Sequence, residues 1–135
     1  MSLLKFESML KTNAVYFFDL VEFEEIIIHY LDAGKHALAK KAVKLGLQQH
    51  PASVDLKLLQ VELYIFEDDL DKASLLLKRI ERLEPNNDEV FIQKATISSK
   101  RGNHKEAIDL LKKSLSFNFR FICILKLYLF FLASI

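Results

Sequence analysis

Residues 30–53 read YLDAGKHALAKKAVKLGLQQHPAS and residues 64–87 read YIFEDDLDKASLLLKRIERLEPNN. Laid one above the other, the stretches align Tyr30 with Tyr64, Ala39 with Ala73 and Pro51 with Pro85, each pair 34 residues apart. The interval recurs downstream: Ala107 follows Ala73 and Asn103 follows Asp69 by the same 34 residues, and Gly34 and Gly102 stand two intervals apart. Self-similarity at this period marks stacked helix-turn-helix units, none of which can bury its apolar face alone. The patterned stretch runs from Leu20 to about Ser116.

Within that stretch each unit has its own grammar. In residues 20–53, Phe23, Ile26, Ile27, Tyr30 and Leu31 fall on one helical face, Gly34 ends the helix in a left-handed turn, and Leu38, Ala39, Ala42, Val43 and Gly46 form the inner face of a second helix from about His36 to Gln49. Pro51 blocks its continuation and Ser53 is placed to cap the next helix. Residues 54–87 repeat the scheme, with Val61 and Tyr64 inside the first helix and Ala73, Leu77 and Ile80 inside the second. Here Asp68 takes the glycine position, which Asp tolerates better than most residues, and Asp69 and Asn87 are placed as caps. The third unit, 88–121, sets Phe91, Ala95 and Ser98 on one face and Ala107, Ile108, Leu111 and Leu115 on another. It breaks down where a third proline is due and Phe119 stands instead. Before the array, residues 1–19 offer a short amphipathic helix at about 3–12, read as an end cap, and then an aromatic lead-in whose conformation the pattern leaves open.

Composition narrows the classes. A chain of 135 residues, half of them apolar, can bury a core, and three glycines and two prolines leave little room for hairpins, so the expectation is all-α. The net charge of +1 gives no sign of a nucleic-acid partner. The single Cys123 forms no internal disulfide or Cys-based metal motif and fits a reducing, cytoplasmic setting. No signal peptide is read at the N-terminus. The acidic run 67–71 lacks the ligand spacing of a calcium loop, and His29, His36, His50 and His104 form no metal pair. No nucleophile, base and acid arrangement or phosphate loop is recognisable, so neither a cofactor nor catalysis is expected.

These landmarks resemble the tetratricopeptide repeat family over roughly Leu20 to Ser116, about three repeats. The residues that carry the resemblance are Phe23 and Phe91, Ala95, Tyr30 and Tyr64, Gly102 with Asn103, the three alanines 39, 73 and 107, and two prolines. Departures are Ile27 and Val61 at the small position, Gly46, Ile80 and Ser114 at the second alanine, and Ser98 in place of Tyr. The resemblance implies a right-handed α-α superhelix whose first helices line a concave groove that holds a peptide or partner helix.

Carried over from the family, the groove lining comprises Val21, Glu24, Glu25, Ile28, Leu31 and Asp32 from the first repeat. The second gives Asp55, Leu58, Leu59, Glu62, Ile65 and Phe66, and the third gives Glu89, Ile92, Gln93, Thr96, Ser99 and Lys100. It is acidic and apolar together. Family members that bind the C-terminal carboxylates of heat-shock chaperones clamp them with Lys, Asn and Arg; the matching positions here are Glu24, Ile28, Leu59, Glu89 and Gln93. With no clamp cation, such tails are not expected to bind, and a partner with an apolar face and basic residues fits better. The competing reading packs Leu58, Leu59, Ile65 and Phe66 against neighbouring helices and leaves Glu24 and Glu25 merely solvated.

Residues 122–135 form an apolar C-terminal segment in which only Lys126 is charged. Three readings stand: a helix covering the third repeat with its remaining face buried in a dimer or partner, a short membrane anchor, and an abnormal ending of a longer array. The functional expectation is a non-catalytic interaction scaffold. The alternatives are a self-association element driven by residues 117–135 and a membrane-tethered adaptor.

Overall fold

The computed structural model of the chain describes residues 2–12, 14–117 and 129–133. The described part is all-α. Seven helices follow one another: α1 (Ser2–Lys11), α2 (Leu20–Asp32), α3 (His36–Gln49), α4 (Val54–Phe66), α5 (Leu70–Leu83), α6 (Asp88–Lys100) and α7 (His104–Phe117), with residues 129–133 also helical. No strand occurs among the described residues. The helices α2, α4 and α6 are 13 residues long, and α3, α5 and α7 are 14. By density of contact the chain divides into two compact units, Met1–Leu63 and Tyr64–Ile135.

The turns repeat as strictly as the lengths. Gly34, Asp68 and Gly102 adopt φ of 72°, 61° and 85°. At each, two backbone bonds close the preceding helix: Gly34 N–H to Leu31 O with Lys35 N–H to Tyr30 O, Asp68 to Ile65 with Asp69 to Tyr64, and Gly102 to Ser99 with Asn103 to Ser98. This is the paired bonding of a Schellman motif, which satisfies carbonyls the helix itself leaves free. The expected stand-in role of Asp68 is therefore seen in its backbone.

Helix starts recur at the same interval. Asp19 accepts from Glu22 N–H at 2.8 Å, Ser53 from Leu56 N–H at 3.2 Å and Asn87 from Glu89 N–H at 2.9 Å. At Asp19 the bond is reciprocal, since the Glu22 carboxylate accepts from Asp19 N–H at 3.1 Å. That contact, and a second from the Ser2 hydroxyl, hold Glu22 below the usual carboxylate range. The ends of α3 and α5 match too: His50 and Glu84, each before a proline, leave the helical region and donate back to Gly46 and Ile80.

In the first unit, α1 and α3 each pack on α2. Phe6 of α1 lies with its ring 6.0 Å from that of Phe18 and 6.1 Å from that of Tyr30. The Tyr30 hydroxyl donates to Glu7 at 3.2 Å, and burial, then that carboxylate, push its pKa up to about 12. The lead-in is irregular and held by side chains on both flanks: Gln49 accepts from Phe18 N–H at 3.0 Å and donates to Tyr16 O at 2.8 Å, His50 Nε2 lies 2.8 Å from Phe18 O, and Met9 sulfur accepts from Tyr16 N–H at 3.3 Å. Phe23, Ile26, Ile27, Tyr30, Ala39, Ala42, Val43 and Leu56 are core. Gly46 sits against this core so closely that a Cβ there would lie 3.1 Å from Leu56 Cδ1 and 3.3 Å from the Phe23 ring.

In the second unit, α6 packs against both α5 and α7. Ala73, Leu77 and Ile80 are buried as expected, Ser98 is buried, and Tyr64, Phe91 and Ile108 are half-buried. From the C-terminal segment, Phe131 is buried in a cluster with Ala95, Ala107 and Leu111. The expectations on Leu115, Phe119, Arg120, Cys123 and Lys126 lie outside the described residues and side chains. Among the described residues no helix is long and apolar enough to cross a membrane.

The positive-φ turns make a direct prediction. Gly34→Ala and Gly102→Ala are each expected to cost about 1 kcal/mol, because a side chain disfavours the left-handed region, and Asp68→Gly to raise the thermal midpoint, all read by denaturant and thermal melts. A second prediction follows from the close approach at Gly46: Gly46→Val is expected to lose about 1–3 kcal/mol through overpacking.

Candidate functional site

The exposed side of α2 is built by its own periodicity. With Phe23, Ile26, Ile27 and Tyr30 turned into the core, Val21, Glu25, Ile28 and Asp32 are left in solvent, and Glu24 half in. Val21 is 61% and Ile28 47% exposed, so two large apolar groups stand two turns apart on a face that otherwise carries carboxylates and, at its edge, His29. α2 contains no Lys or Arg at all. Glu24, Glu25 and Asp32 have no cation paired to them among the described residues.

Asp55, exposed at the start of α4, extends the acidic character within the same unit. Burial in the first place, and the negative charge of Asp55 in the second, hold the Glu24 carboxyl above the usual carboxylate range. Two carboxylates thus meet without a cation between them. An incoming cation would offset the repulsion from Asp55, whereas an anion would add to it.

The other residues read from the sequence are placed less uniformly. Leu58, Ile65 and Gln93 are buried, at 7%, 7% and 6% exposure, and so contribute to packing more than to an open surface. Leu59 is half-buried against the first unit's core, and Glu62 is exposed. In the second unit Phe66 is 60% exposed at the end of α4, Glu89, Ile92, Thr96 and Ser99 are half-buried, and the Lys100 ammonium donates to Ile65 O at 3.2 Å. The α2 stripe with Asp55 is accordingly the part of the expected lining that is open, acidic and apolar at once.

A second concavity, of about 230 Å³, lies in the second unit among Ser74, Lys78, Lys94, Ser98, Arg101 and Glu106. Its charges are largely spent. Lys94 pairs with Glu81, and Arg101 with Asp71 at 2.9 Å. The remaining charged residues of the wall, Lys78 and Glu106, are opposite in sign, so with those two pairs counted the charges of the lining balance. Among the described residues no group of His, Cys, Asp and Glu is arranged to hold a metal ion.

Sequence reasoning passed over Asp19 and Gln49. The Asp19 cap was available as an Asp-x-x-Glu pattern ahead of an apolar run. Gln49 had no local signal, because its partners lie more than thirty residues away.

The raised Glu24 pKa has a consequence for stability. A group whose pKa is higher folded than unfolded binds its proton more tightly in the native state, so that term is fully present below the unfolded pKa and is lost as pH rises through the folded one. Glu24→Gln, which stays neutral throughout, is therefore expected to raise the thermal midpoint relative to the parent at pH 7. The advantage should shrink toward zero at about pH 3, below the ordinary glutamate range; circular-dichroism melts at the two pH values measure it.

Comparison with known proteins identifies the repeat. The tetratricopeptide repeat family pattern matches residues 30–97, which takes in two successive intervals between the Tyr30, Tyr64 and Ser98 positions. Comparison with curated proteins found no match. The match covers half of the chain and falls on the turns, caps and alanines that recur every 34 residues, so the chain belongs to the tetratricopeptide repeat family.

Proposed function

We propose that the chain is a non-catalytic scaffold that receives, on the exposed face of α2, a partner helix with an apolar stripe flanked by basic residues. Repeats of this family are typically scaffolds for protein–protein interaction. The observation that carries the finer reading is the conjunction on α2 of exposed Val21 and Ile28 with Glu24, Glu25 and Asp32, which pair with no Lys or Arg among the described residues. Covering each apolar group contributes on the order of 1 kcal/mol, and the unpaired carboxylates supply sign selectivity and faster encounter. Chaperone-type anionic tails are disfavoured by the same charges. The repeats are taken as 20–53, 54–87 and 88–121, between an N-terminal cap of 1–19 and the segment 122–135. The lone Cys123 fits a cytoplasmic setting.

A specific observation supports a second reading, self-association through the C-terminal segment. Beside buried Phe131, the side chains of Leu129, Phe130 and Leu132 are 56%, 67% and 43% exposed. A patch of that kind favours a further apolar surface over water.

The primary reading is tested with two synthetic amphipathic helices that share one leucine stripe, one flanked by Lys and Arg and the other by Glu. The basic helix is expected to bind with a dissociation constant of roughly 10 μM, weakening with salt, and to lose about tenfold in affinity against Ile28→Ser and against Glu25→Lys. Equal binding of both peptides, or indifference to both substitutions, would sink it.

A further inference from the structure

The kind of partner that α2 calls for is present in the chain itself. Helix α5 carries Lys72, Lys78, Arg79 and Arg82, and its two acids are engaged elsewhere: Asp71 by Arg101 and Glu81 by Lys94. Lys78, Arg79 and Arg82 have no anionic partner among the described residues, and Lys72 holds only an exposed i,i+3 pair with Asp69 at 3.4 Å, of a kind that contributes little. On the same side stand Leu75 and Leu83, 56% and 62% exposed. The stripe is therefore basic and apolar, the complement of the α2 stripe in both sign and hydrophobicity.

Spacing agrees as well. Val21 and Ile28 are separated by about 10.5 Å of helix rise and Leu75 and Leu83 by about 12 Å. Set antiparallel, the two helices place Leu83 beside Val21, Arg79 and Lys78 beside Glu25 and Glu24, Leu75 beside Ile28, and Lys72 beside Asp32. The other basic helices lack this match. Lys40, Lys41 and Lys44 of α3 have only Ala37 as an apolar neighbour on their exposed side, and the exposed residues of α7 from Lys105 to Lys113 are all charged.

We propose that two copies of this chain associate through the acidic-apolar face of α2 on one and the basic-apolar face of α5 on the other. The inference rests on the reading of α2 as a receiver of basic amphipathic helices, and it names the occupant as a second copy. The two faces differ, so the contact is heterologous, and each pairing leaves one face of each kind free for a further copy. The crowding of Glu24 and Asp55, which holds the Glu24 carboxyl above its usual range, is relieved by the arriving cations.

The test is solution mass by light scattering on the full chain, over concentration, at about 20 mM and about 500 mM salt. At low salt the mass is expected to rise from 15.7 kDa toward at least twice that, and to return to the single-chain value at high salt. The α2 variant Glu25→Lys with Asp32→Lys, and the α5 variant Lys78→Glu with Arg79→Glu and Arg82→Glu, should each remain monomeric alone at low salt. An equimolar mixture of the two should regain the larger mass, because each then meets its opposite sign. Recovery in the mixture also shows that both variants are folded. A parent chain that is monomeric at every concentration overturns the proposal, and if the basic peptide still binds α2, the docking reading survives without it. Association that persists in both variants and at high salt also overturns it, and assigns self-association to the apolar C-terminal segment.

Discussion

Each helical hairpin depends on one residue able to hold a backbone angle that most residues avoid. At Gly34, Asp68 and Gly102 the chain turns left-handed, and two hydrogen bonds then reach back to close the helix just completed. Because the closing residue is at the same position in each unit, the first helices share one length and the second helices another. Caps at Asp19, Ser53 and Asn87 fix the opposite ends. Packing can then be modest in each unit: small residues at positions 39, 73 and 107 let the paired helices approach, and all three alanines are fully buried.

The sequence showed most of this because turns and caps are local chemistry. A glycine or an Asp after a helical run, a proline two residues before a Ser or Asn, and an alanine at a fixed offset each act within one or two turns of backbone. What sequence could not show was set at longer range. Gln49 holds the Tyr16 and Phe18 backbone across the end of α3, and nothing near Gln49 announces it. In α4, VDLKLLQVELYIF, apolar residues occupy nearly every direction around the axis, so periodicity could not sort buried Leu58 from half-buried Leu59 or buried Ile65 from exposed Phe66. The surface of α2 was easier, because its two faces differ in kind.

The residues that break the family pattern are as informative as those that keep it. Gly46 stands where a second alanine is usual, and the reason is space: a Cβ there would lie 3.1 Å from Leu56 Cδ1 and 3.3 Å from the Phe23 ring, tighter than ordinary contact. Ile27 and Val61 replace small residues and are fully buried, so volume removed at one position of the interface is added at another.

A net charge of +1 conceals how the charges are distributed. Helix α2 has four acids and no Lys or Arg, and α3, packed against it, has three lysines and no acid. A helix whose only task was to bury one face would lose nothing by alternating signs along the other; pairs of Glu and Lys four residues apart would add a few tenths of a kcal/mol each. α2 forgoes them and, at Glu24, carries a carboxylate whose ionisation is opposed both by burial and by Asp55. Both terms act against the stability of the isolated chain, and the repulsion between the two carboxylates is offset when positive charge arrives from outside. Val21 and Ile28 follow the same logic, since water is their poorest neighbour. On the proposed reading, both kinds of side chain on this face are better satisfied by a partner than by the fold that carries them.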